Sequence, residues 1–204
     1  MELPKAYDPK NTEDRIYKLW EESGFFNPDN LPERHQTPFS IVLPPPNVTA
    51  ALHMGSALML VVQDIMIRFE RMRGKKALWI PGTDHASIAT EEKFLEETKI
   101  SKRDYTEKRH EFIDLVNKFA LKNQKTILEQ VRAIGSSLDW SRLRYTLDPE
   151  RVDAVQEAFI RMGIRMDCVG YEHASDENLQ EIGKPCTAED NNEAARILRE
   201  LGIW

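Results

Sequence analysis

Apolar residues that recur at three- and four-residue steps predict helices along most of the chain. The longest runs from about 106 to 135, as one helix or two joined ones, and we expect it to pack beside a sheet. Its apolar stripe comprises Phe112, Leu115, Val116, Phe119, Ile127, Val131 and Ile134. The other predicted helices cover residues 12–23, about 54–73, 87–97, about 149–162, 175–183 and 187–202.

Residues typical of helix ends predict where two of these helices begin or end. Thr12 is the predicted N-cap of the first helix and Gly24 ends it. One face of that helix carries Ile16, Leu19 and Trp20. The helix over 54–73 is followed by Gly74 as its C-terminal cap. Its apolar stripe comprises Leu58, Val61, Ile65, Phe69 and Met72.

Two short runs of β-forming residues flank the helix over 54–73. They are "FSIVLP" (39–44) and "KALWIPGTDH" (76–85). A strand, a helix and a strand in this order predict a parallel pair with a right-handed crossover. Ligands of such sheets bind beyond the carboxyl ends of the strands. The loops "PPPNVT" and "PGTDHA" follow there, so we predict that they converge on one site.

Composition narrows the class of protein. The chain has 204 residues, 41% apolar and 30% charged, which is enough material for one large domain or a domain with an appendage. A net charge of −6 argues against a chain whose main role is to coat nucleic acid. The basic run 68–76 is typical of a solvated helix end. Cys168 and Cys186 form neither a disulfide framework nor a zinc cluster.

The sequence also predicts where in the cell the protein is located. We find no apolar core of a signal peptide at the N-terminus. The stretch "ALMLVVQDIMI" is too short to span a bilayer and is interrupted by Gln63 and Asp64. With so little cysteine, these features favour a reducing, cytoplasmic location and no membrane partner.

The two loops carry residue types that suit a nucleotide and an amino acid. A helix N-terminus after the first loop favours an anion, Gly55 lets a phosphate come close, and His53 can donate a hydrogen bond to it. The second loop contains Asp84, which is followed by His85. The carboxylate of Asp84 can hold an ammonium group. Two simpler interpretations stay open. His53 can be an ordinary helix-start residue, and Asp84 can cap the helix over 87–97.

Two motifs now point to a family. "PPPNVTAALHMGSAL" resembles the nucleotide-binding signature of class I aminoacyl-tRNA synthetases, in the valyl-tRNA synthetase form P-P-P-N-V-T-G-x-L-H-M-G-H. "WIPGTDHASIAT" is similar to the second signature of that family. "LPKAYDP" near the N-terminus and "LDWSR" around Trp140 also fit. The resemblance covers roughly residues 3–162.

This resemblance implies an α/β fold: the first half of a class I synthetase Rossmann-like nucleotide-binding fold with long helices. It implies a reaction in which valine and ATP, with Mg²⁺, form valyl-adenylate before transfer to tRNA(Val). ATP would lie against Thr49, His53, Gly55 and Ser56, with His53 and Ser56 at the catalytic positions. Asn47 and Asp84 would hold the valine ammonium, and Pro44 and Pro45 would form part of the side-chain pocket. No metal site of the protein itself is implied.

The chain departs from the family pattern at two positions. Ala50 replaces the glycine that follows "NVT", and Ser56 replaces the last histidine of His-x-Gly-His. A hydroxyl cannot supply the charge of an imidazolium to the leaving pyrophosphate, and loss of one such donor costs about 10²–10³ in rate. We therefore expect crippled adenylation.

Several parts of the family pattern have no match in this chain. Nothing resembles the Lys-Met-Ser-Lys-Ser loop, the editing insertion or the anticodon-binding helices. Because most tRNA contacts in the family belong to such parts, we expect at best weak, salt-sensitive tRNA binding.

The last forty residues follow another pattern. We expect residues 1–162 to form the synthetase-like half-domain and 163–204 a short βαα appendage of different origin, with a strand over 165–172. This tail resembles a β/α repeat of radical S-adenosylmethionine barrels, in which Glu172 and Ser175 would match cofactor-binding positions, while His173 and Ala174 depart from them. The cysteine cluster of that family is absent from the sequence, which argues against radical chemistry.

Two functional hypotheses therefore stand. The first is an ATP- and valine-binding domain of valine–tRNA ligase type with weak or no adenylation. The second is a non-catalytic synthetase-like module that serves in binding or structure, in a composite chain.

Overall fold

The computed structural model describes residues 7–105, 108–161, 175–177 and 187–200. The helices are α1 (Pro9–Glu22), α2 (Met54–Met72), α3 (Ser87–Thr98), α4 (Arg109–Ala133), α5 (Pro149–Arg161) and α6 (Ala188–Glu200), with 3₁₀ turns at Pro28–Asn30, Lys102–Tyr105 and Trp140–Arg142. The strands are β1 (Pro38–Ser40), β2 (Lys76–Leu78), β3 (Gly82–Thr83) and β4 (Arg144–Tyr145). The chain forms two compact units: Met1–Thr90 with Ala120–Thr146, and Glu91–Phe119 with Leu147–Trp204.

The first unit is organised around a central extended segment, residues 76–84. On one side, β2 pairs in parallel with β1, with Phe39 opposite Ala77. On the other side, β3 pairs in parallel with β4, with Thr83 opposite Tyr145. The predicted parallel strand–helix–strand unit is thus confirmed. Among the described residues, the extended segments lie in the order 37–48, 76–84, 139–146, so the first and the last of them stand at the edges.

The strands are shorter than the sequence predicts, and prolines lie within a few residues of their ends. The segment predicted over 39–44 is a strand only at Pro38–Ser40, before three prolines that carry no N–H group. The segment predicted over 76–85 divides into β2 and β3 around Pro81. No pattern in the sequence predicts β4, which has only two residues and is recognisable only by its partner.

Helix α1 starts earlier than predicted. Pro9 occupies its first turn and Asp8 the N-cap position, so Thr12 lies inside the helix and the predicted N-cap was wrong. Proline suits this position because its fixed φ angle matches a helix and its missing N–H would have no partner there. Gly24 follows the helix with a φ of +72°, as its predicted role requires.

The apolar stripe predicted on α2 faces outward, contrary to the usual orientation of such a stripe. Leu58 is 66% exposed, Ile65 62% and Met72 79%, whereas the side chains that enter the core are Leu60 and Ile67. The first unit's core comprises Val48, Leu60, Ile67, Ala77, Trp79, Ala120, Ile127, Val131 and Leu138. The end of α2 is as predicted, with Gly74 just beyond it at a φ of +84°.

Polar residues explain which face of α2 lies inward. The Asp64 carboxylate accepts hydrogen bonds from the backbone N–H (2.8 Å) and hydroxyl (2.6 Å) of Ser137. Gln63 Oε1 accepts a hydrogen bond of 3.1 Å from the indole of the buried Trp79. Asp64 and Gln63 find these hydrogen-bond donors only on the inner side of the helix. With both residues on that side, the apolar stripe on the opposite side of the helix faces outward.

Most of the basic side chains in the run 68–76 form ion pairs. Arg68 lies 2.5 Å from Asp64, Lys75 lies 2.7 Å from Glu70, and Arg73 lies 3.2 Å from the same Glu70. Lys76 pairs with Asp29 and Arg71 donates to Ser137. Burial lowers the pKa of Arg71. Most of the cations of this run therefore already have an acidic or hydroxyl partner among the described residues.

A hydrogen-bonded pair of aromatic residues fastens α1 to the loop after α4. The Tyr17 hydroxyl donates to the Ser136 carbonyl (2.9 Å) and accepts from the Trp140 indole (2.8 Å). Burial raises the pKa of Tyr17 to about 12, so it stays neutral and keeps its donor over the whole physiological range. Asp139 caps the 3₁₀ turn that follows it, since its carboxylate accepts a hydrogen bond from the Ser141 N–H.

The second unit has its own aromatic core. Phe94 packs edge-on against Phe112 and Phe119, with ring centroids 5.9 and 5.7 Å apart. Thr187 is the N-cap of α6: its hydroxyl accepts from the Asp190 N–H, and the Asp190 carboxylate accepts from the Thr187 N–H. The predicted strand over 165–172 lies outside the described residues, as do most of the helix over 175–183, Glu172 and both cysteines.

None of the helices in the described ranges combines the length and apolarity needed to cross a bilayer.

We expect Asp64→Ala to lower the free energy of unfolding by about 1–3 kcal/mol, because it leaves the Ser137 N–H and Arg68 without their shared acceptor. Chemical denaturation of both proteins measures the difference. Glu129→Ala is the control, since its pair with Lys125 is exposed and should contribute less than about 0.5 kcal/mol. Equal effects of the two substitutions would contradict the role given to Asp64.

Candidate functional site

The two loops predicted to converge do meet at the carboxyl ends of the parallel strands. Asn47 and Asp84 form an isolated parallel β-bridge. The Val48 N–H donates to the Asp84 carbonyl, and the Asp84 N–H donates to the Pro46 carbonyl, both at 2.9 Å. These backbone bonds hold the motifs of both loops side by side, and they leave Asn47 exposed and Asp84 half-buried.

Asp84 is held by Thr146 and is not a helix cap. Its Oδ1 accepts a 3.0 Å hydrogen bond from the Thr146 hydroxyl, which in turn accepts from the His85 N–H at 2.9 Å. At the start of α3, the Ser87 N–H donates to His85 Nδ1 instead, at 3.1 Å. The interpretation of Asp84 as the cap of this helix was therefore wrong.

The turn between Asp84 and α3 has an uncommon backbone. Ala86 and Ser87 have φ angles of +54° and +34°, in the left-handed region that residues other than glycine rarely adopt. The His85 ring packs near Tyr145, with centroids 6.3 Å apart. Because Nδ1 of His85 accepts from Ser87, its neutral form carries the proton on Nε2, which is buried with no hydrogen-bond partner in the described part of the chain.

His53 is a helix-start residue as well as a candidate ligand-binding residue. It occupies the N-cap position of α2, where its Nδ1 accepts from the Ser56 N–H at 3.2 Å. Its Nε2 lies 3.3 Å from the Ser56 hydroxyl. Gly55 allows this arrangement, since a Cβ atom there would lie 3.0 Å from the His53 ring.

The other residues of the first loop differ in their exposure. Pro44 and Pro45 are exposed, and Pro45 stands 3.7 Å from the place that a Cβ atom on Gly82 would occupy. Thr49 and Ala50 are half-buried. An apolar pocket with space for about one water molecule lies beneath the loops. It is lined by Leu43, Pro46, Leu52, Ser56, Met59, Leu60, Pro81, Gly82, Ile127, Leu128, Val131, Leu138 and Trp140.

Side-chain amides of α4 fix both loops, and the sequence analysis missed them. Asn123 Nδ2 donates to the carbonyls of Val48 and Thr49, both at 3.1 Å. Gln130 Oε1 accepts from the Leu52 N–H at 2.8 Å. Gln124 Nε2 donates to the Thr83 hydroxyl at 2.8 Å. The available signal was the presence of amide residues beside the apolar stripe of a helix expected to pack on the sheet.

Among the described residues, no three histidine, cysteine, aspartate or glutamate side chains come together as a possible metal site.

The family model "tRNA synthetases class I (I, L, M and V)" matches residues 15–167 of the chain. The chain belongs to this family. The two loops that the fold brings together, at Asn47 and Asp84, both lie within the matched residues.

Similar curated proteins are valine–tRNA ligases. The chain is 45% identical over 160 residues to the enzyme of Chlamydia felis, covering 77% of the chain and 17% of the relative. It is 43% identical over 164 residues to that of Thermotoga maritima, covering 79% and 18%. It is 47% identical over 163 residues to that of Mesorhizobium japonicum, covering 78% and 17%. The chain thus matches about a sixth of the length of these relatives.

A solved structure confirms the fold. The chain superimposes with a TM-score of 0.62 on a LeuRS described as "the ternary complex of Agrobacterium radiobacter K84 agnB2 LeuRS-tRNA-LeuAMS". The match covers 78% of this chain and 18% of that one, at 18% sequence identity. The described residues therefore have the architecture of part of a class I synthetase catalytic domain.

We expect Asn123→Ala to lower the free energy of unfolding by about 1–3 kcal/mol, because two loop carbonyls lose their shared donor. Amide hydrogen exchange should also increase across residues 47–52. Lys122→Ala, an exposed change on the same helix, should leave both quantities within error. If loop exchange is unchanged in Asn123→Ala, the amide does not hold the loop.

Proposed function

We propose that the site between the two loops binds ATP and valine, as in a valine–tRNA ligase, and that it activates valine weakly if at all. The observation that carries this proposal is the parallel bridge between Asn47 and Asp84. It sets the nucleotide motif and the amino-acid motif next to each other at the carboxyl ends of parallel strands, where such folds bind ligands.

The ATP side of the proposed site is the start of α2. The partial positive charge of a helix N-terminus favours the triphosphate, which would be bound together with Mg²⁺. Thr49, His53, Gly55 and Ser56 surround this position. In the neutral tautomer set by the Ser56 N–H, Nε2 of His53 carries a proton that it can donate to a phosphate oxygen.

The valine side is the Asp84 carboxylate. Its Oδ1 is held by Thr146, so we assign the amino-acid ammonium to Oδ2, with Asn47 beside it. Pro44 and Pro45 would form part of the wall around the valine side chain. The half-burial of Asp84 strengthens a charge-assisted bond relative to a fully exposed carboxylate.

The reaction proposed is an in-line displacement. A carboxylate oxygen of valine bonds to the α-phosphorus of ATP, the bond from that phosphorus to its β-bridging oxygen breaks, and pyrophosphate leaves with the electron pair. The protein contributes mainly position and charge stabilisation. Ser56 brings a neutral hydroxyl to the leaving group, which is why we propose weak adenylation.

The proposal also covers tRNA binding, the two parts of the chain and its location in the cell. Transfer of the valyl group to tRNA(Val) would need tRNA contacts beyond those we expect here, so tRNA binding would be weak and salt-sensitive. We further propose that residues 1–162 act as the synthetase-like half-domain, that 163–204 are an appendage of other origin, and that the chain works in the cytoplasm. The comparisons do not favour a non-catalytic module, because the relatives named above are all called ligases.

Valine-dependent ATP–pyrophosphate exchange tests the reaction. We expect little exchange from the natural chain and a rate about 10²–10³ higher in Ser56→His, since the imidazole restores a charged donor at the leaving group. Ser56→Ala should match the natural chain. Silence from all three folded proteins would refute the enzymatic part of the proposal.

Asp84→Asn tests the valine site separately from catalysis. The amide oxygen can still accept from Thr146, but the ammonium loses its counter-charge, so valine should bind about 10–100 times more weakly. Isothermal titration with valine and, separately, with ATP measures this, and the ATP affinity should not change. The control is Asp14→Asn, an exposed acid on α1. An unchanged valine affinity in Asp84→Asn would contradict the assignment.

A further inference from the structure

Asp84 differs from other shielded carboxylates of the first unit in having no basic partner. The side chains of Asp64, Glu70 and Asp139 are 15%, 13% and 2% exposed, and each lies within ion-pair distance of an arginine or a lysine. Asp84 is half-buried too, yet among the described residues its side chain has only the hydroxyl of Thr146 as a partner. A shielded carboxylate without a counter-charge is costly, so its charge is available to a cationic ligand.

The hydroxyl of Thr146 can give its single proton only to Asp84. Its oxygen accepts a bond of 2.9 Å from the backbone N–H of His85, and it lies 3.0 Å from Oδ1 of Asp84. A hydroxyl has one proton to donate, and an ionised carboxylate can only accept. Because the N–H of His85 faces a lone pair of the hydroxyl, the proton points to Oδ1. This bond occupies one carboxylate oxygen and leaves the other to a ligand.

Backbone pairing determines where Thr146 stands. Strands β3 and β4 pair with Thr83 opposite Tyr145, and the Thr146 N–H continues the pairing by donating to the Thr83 carbonyl at 3.2 Å. Asp84 follows Thr83, so it lies beside Thr146 on one side, as it lies beside Asn47 on the other. These three residues therefore form one row across the carboxyl ends of three neighbouring extended segments.

The row has the groups that a primary ammonium ion needs. An ammonium ion has three N–H donors and no acceptor. Asp84 supplies a charged acceptor through Oδ2, and the side-chain amide of Asn47 has a neutral acceptor oxygen. Thr146 need not touch the ligand, since its proton is directed to Oδ1 of Asp84. Its effect on a ligand would therefore pass through the carboxylate.

We propose that Thr146 is a positioning residue that makes Asp84 a receptor for the ammonium group of the amino acid. By occupying Oδ1, it fixes the rotation of the carboxylate and keeps Oδ2 for the ligand. The affinity for the amino acid then depends on a residue beside β4, the strand that no pattern in the sequence predicts. The inference rests on the proposed function for the identity of the ligand.

Two substitutions of Thr146 test this role. Thr146→Val keeps the shape of the side chain and removes the hydroxyl, whereas Thr146→Ser keeps the hydroxyl. Isothermal titration measures the affinities for valine, for ATP and for valinol, which has the ammonium group and side chain of valine but no carboxylate. We expect Thr146→Val to bind valine and valinol about tenfold more weakly, because the charged acceptor loses its fixed orientation. Thr146→Ser should restore both affinities, and ATP should bind equally to all three proteins.

A double-mutant cycle with Asp84→Asn distinguishes this role from a structural one. If Thr146 acts through the charge of Asp84, adding Thr146→Val to Asp84→Asn should change the affinity for valine little. If Thr146 only holds the turn through the His85 N–H, the loss caused by Thr146→Val should be the same in both backgrounds. Equal losses in the two backgrounds would overturn the proposal.

Thr126→Val is the matched control. The hydroxyl of Thr126 donates to the Lys122 carbonyl of its own helix at 3.3 Å, so its removal should leave the affinities for valine and valinol unchanged. Circular dichroism and denaturation of each variant check that it folds. Equal valine affinities of the natural chain and Thr146→Val would overturn the proposal, as would a Thr146→Ser variant that binds valine as weakly as Thr146→Val.

Pyrophosphate exchange separates this proposal from the proposed function. Binding of valine and valinol that depends on Thr146, with exchange silent in the natural chain and in Ser56→His, would support the ammonium receptor and refute the proposed reaction. Exchange with the same KM for valine in the natural chain and in Thr146→Val would support the reaction and overturn the role of Thr146. Absence of binding of valine and valinol to the folded natural chain would overturn both.

Discussion

Backbone pairing on both sides of residues 76–84 is the constraint on which the first unit depends. One side of this segment holds the strand and loop that lead to His53, and the other holds the segment that carries Thr146. The site therefore needs no contact between long side chains to bring its two motifs together. Main-chain hydrogen bonds in a parallel arrangement set their separation, and side chains of α4 and residue 146 refine it.

Much of this arrangement could be predicted from the sequence. The apolar periodicity located α2 and α4, glycines marked the ends of α1 and α2, and the order of strand, helix and strand gave the parallel pairing. The convergence of the loops followed from that pairing, since carboxyl ends of parallel strands lie at one edge. These predictions rested on signals that are local in the sequence.

Several of the failures share a cause, which is that a partner far along the chain decided the outcome. The inward face of α2 was set by Ser137 and Trp79, whose bonds to Asp64 and Gln63 outweigh the apolar stripe on the other side. Strand β4 exists only because it pairs with β3. Asn123 and Gln130 look like ordinary helix residues until the loops that they hold are seen. Periodicity contains no information about such partners.

The capping bond of His53 has a consequence for any ligand at the start of α2. The nitrogen that accepts from the Ser56 N–H caps the first turn of α2, and it leaves the proton of the neutral imidazole on the other nitrogen, where an anion can accept it. Losing a cap costs about 0.5–2 kcal/mol. The helix cap and the anion contact thus use different nitrogens of one ring, and by linkage the free energy of the cap also favours the tautomer that donates to the anion.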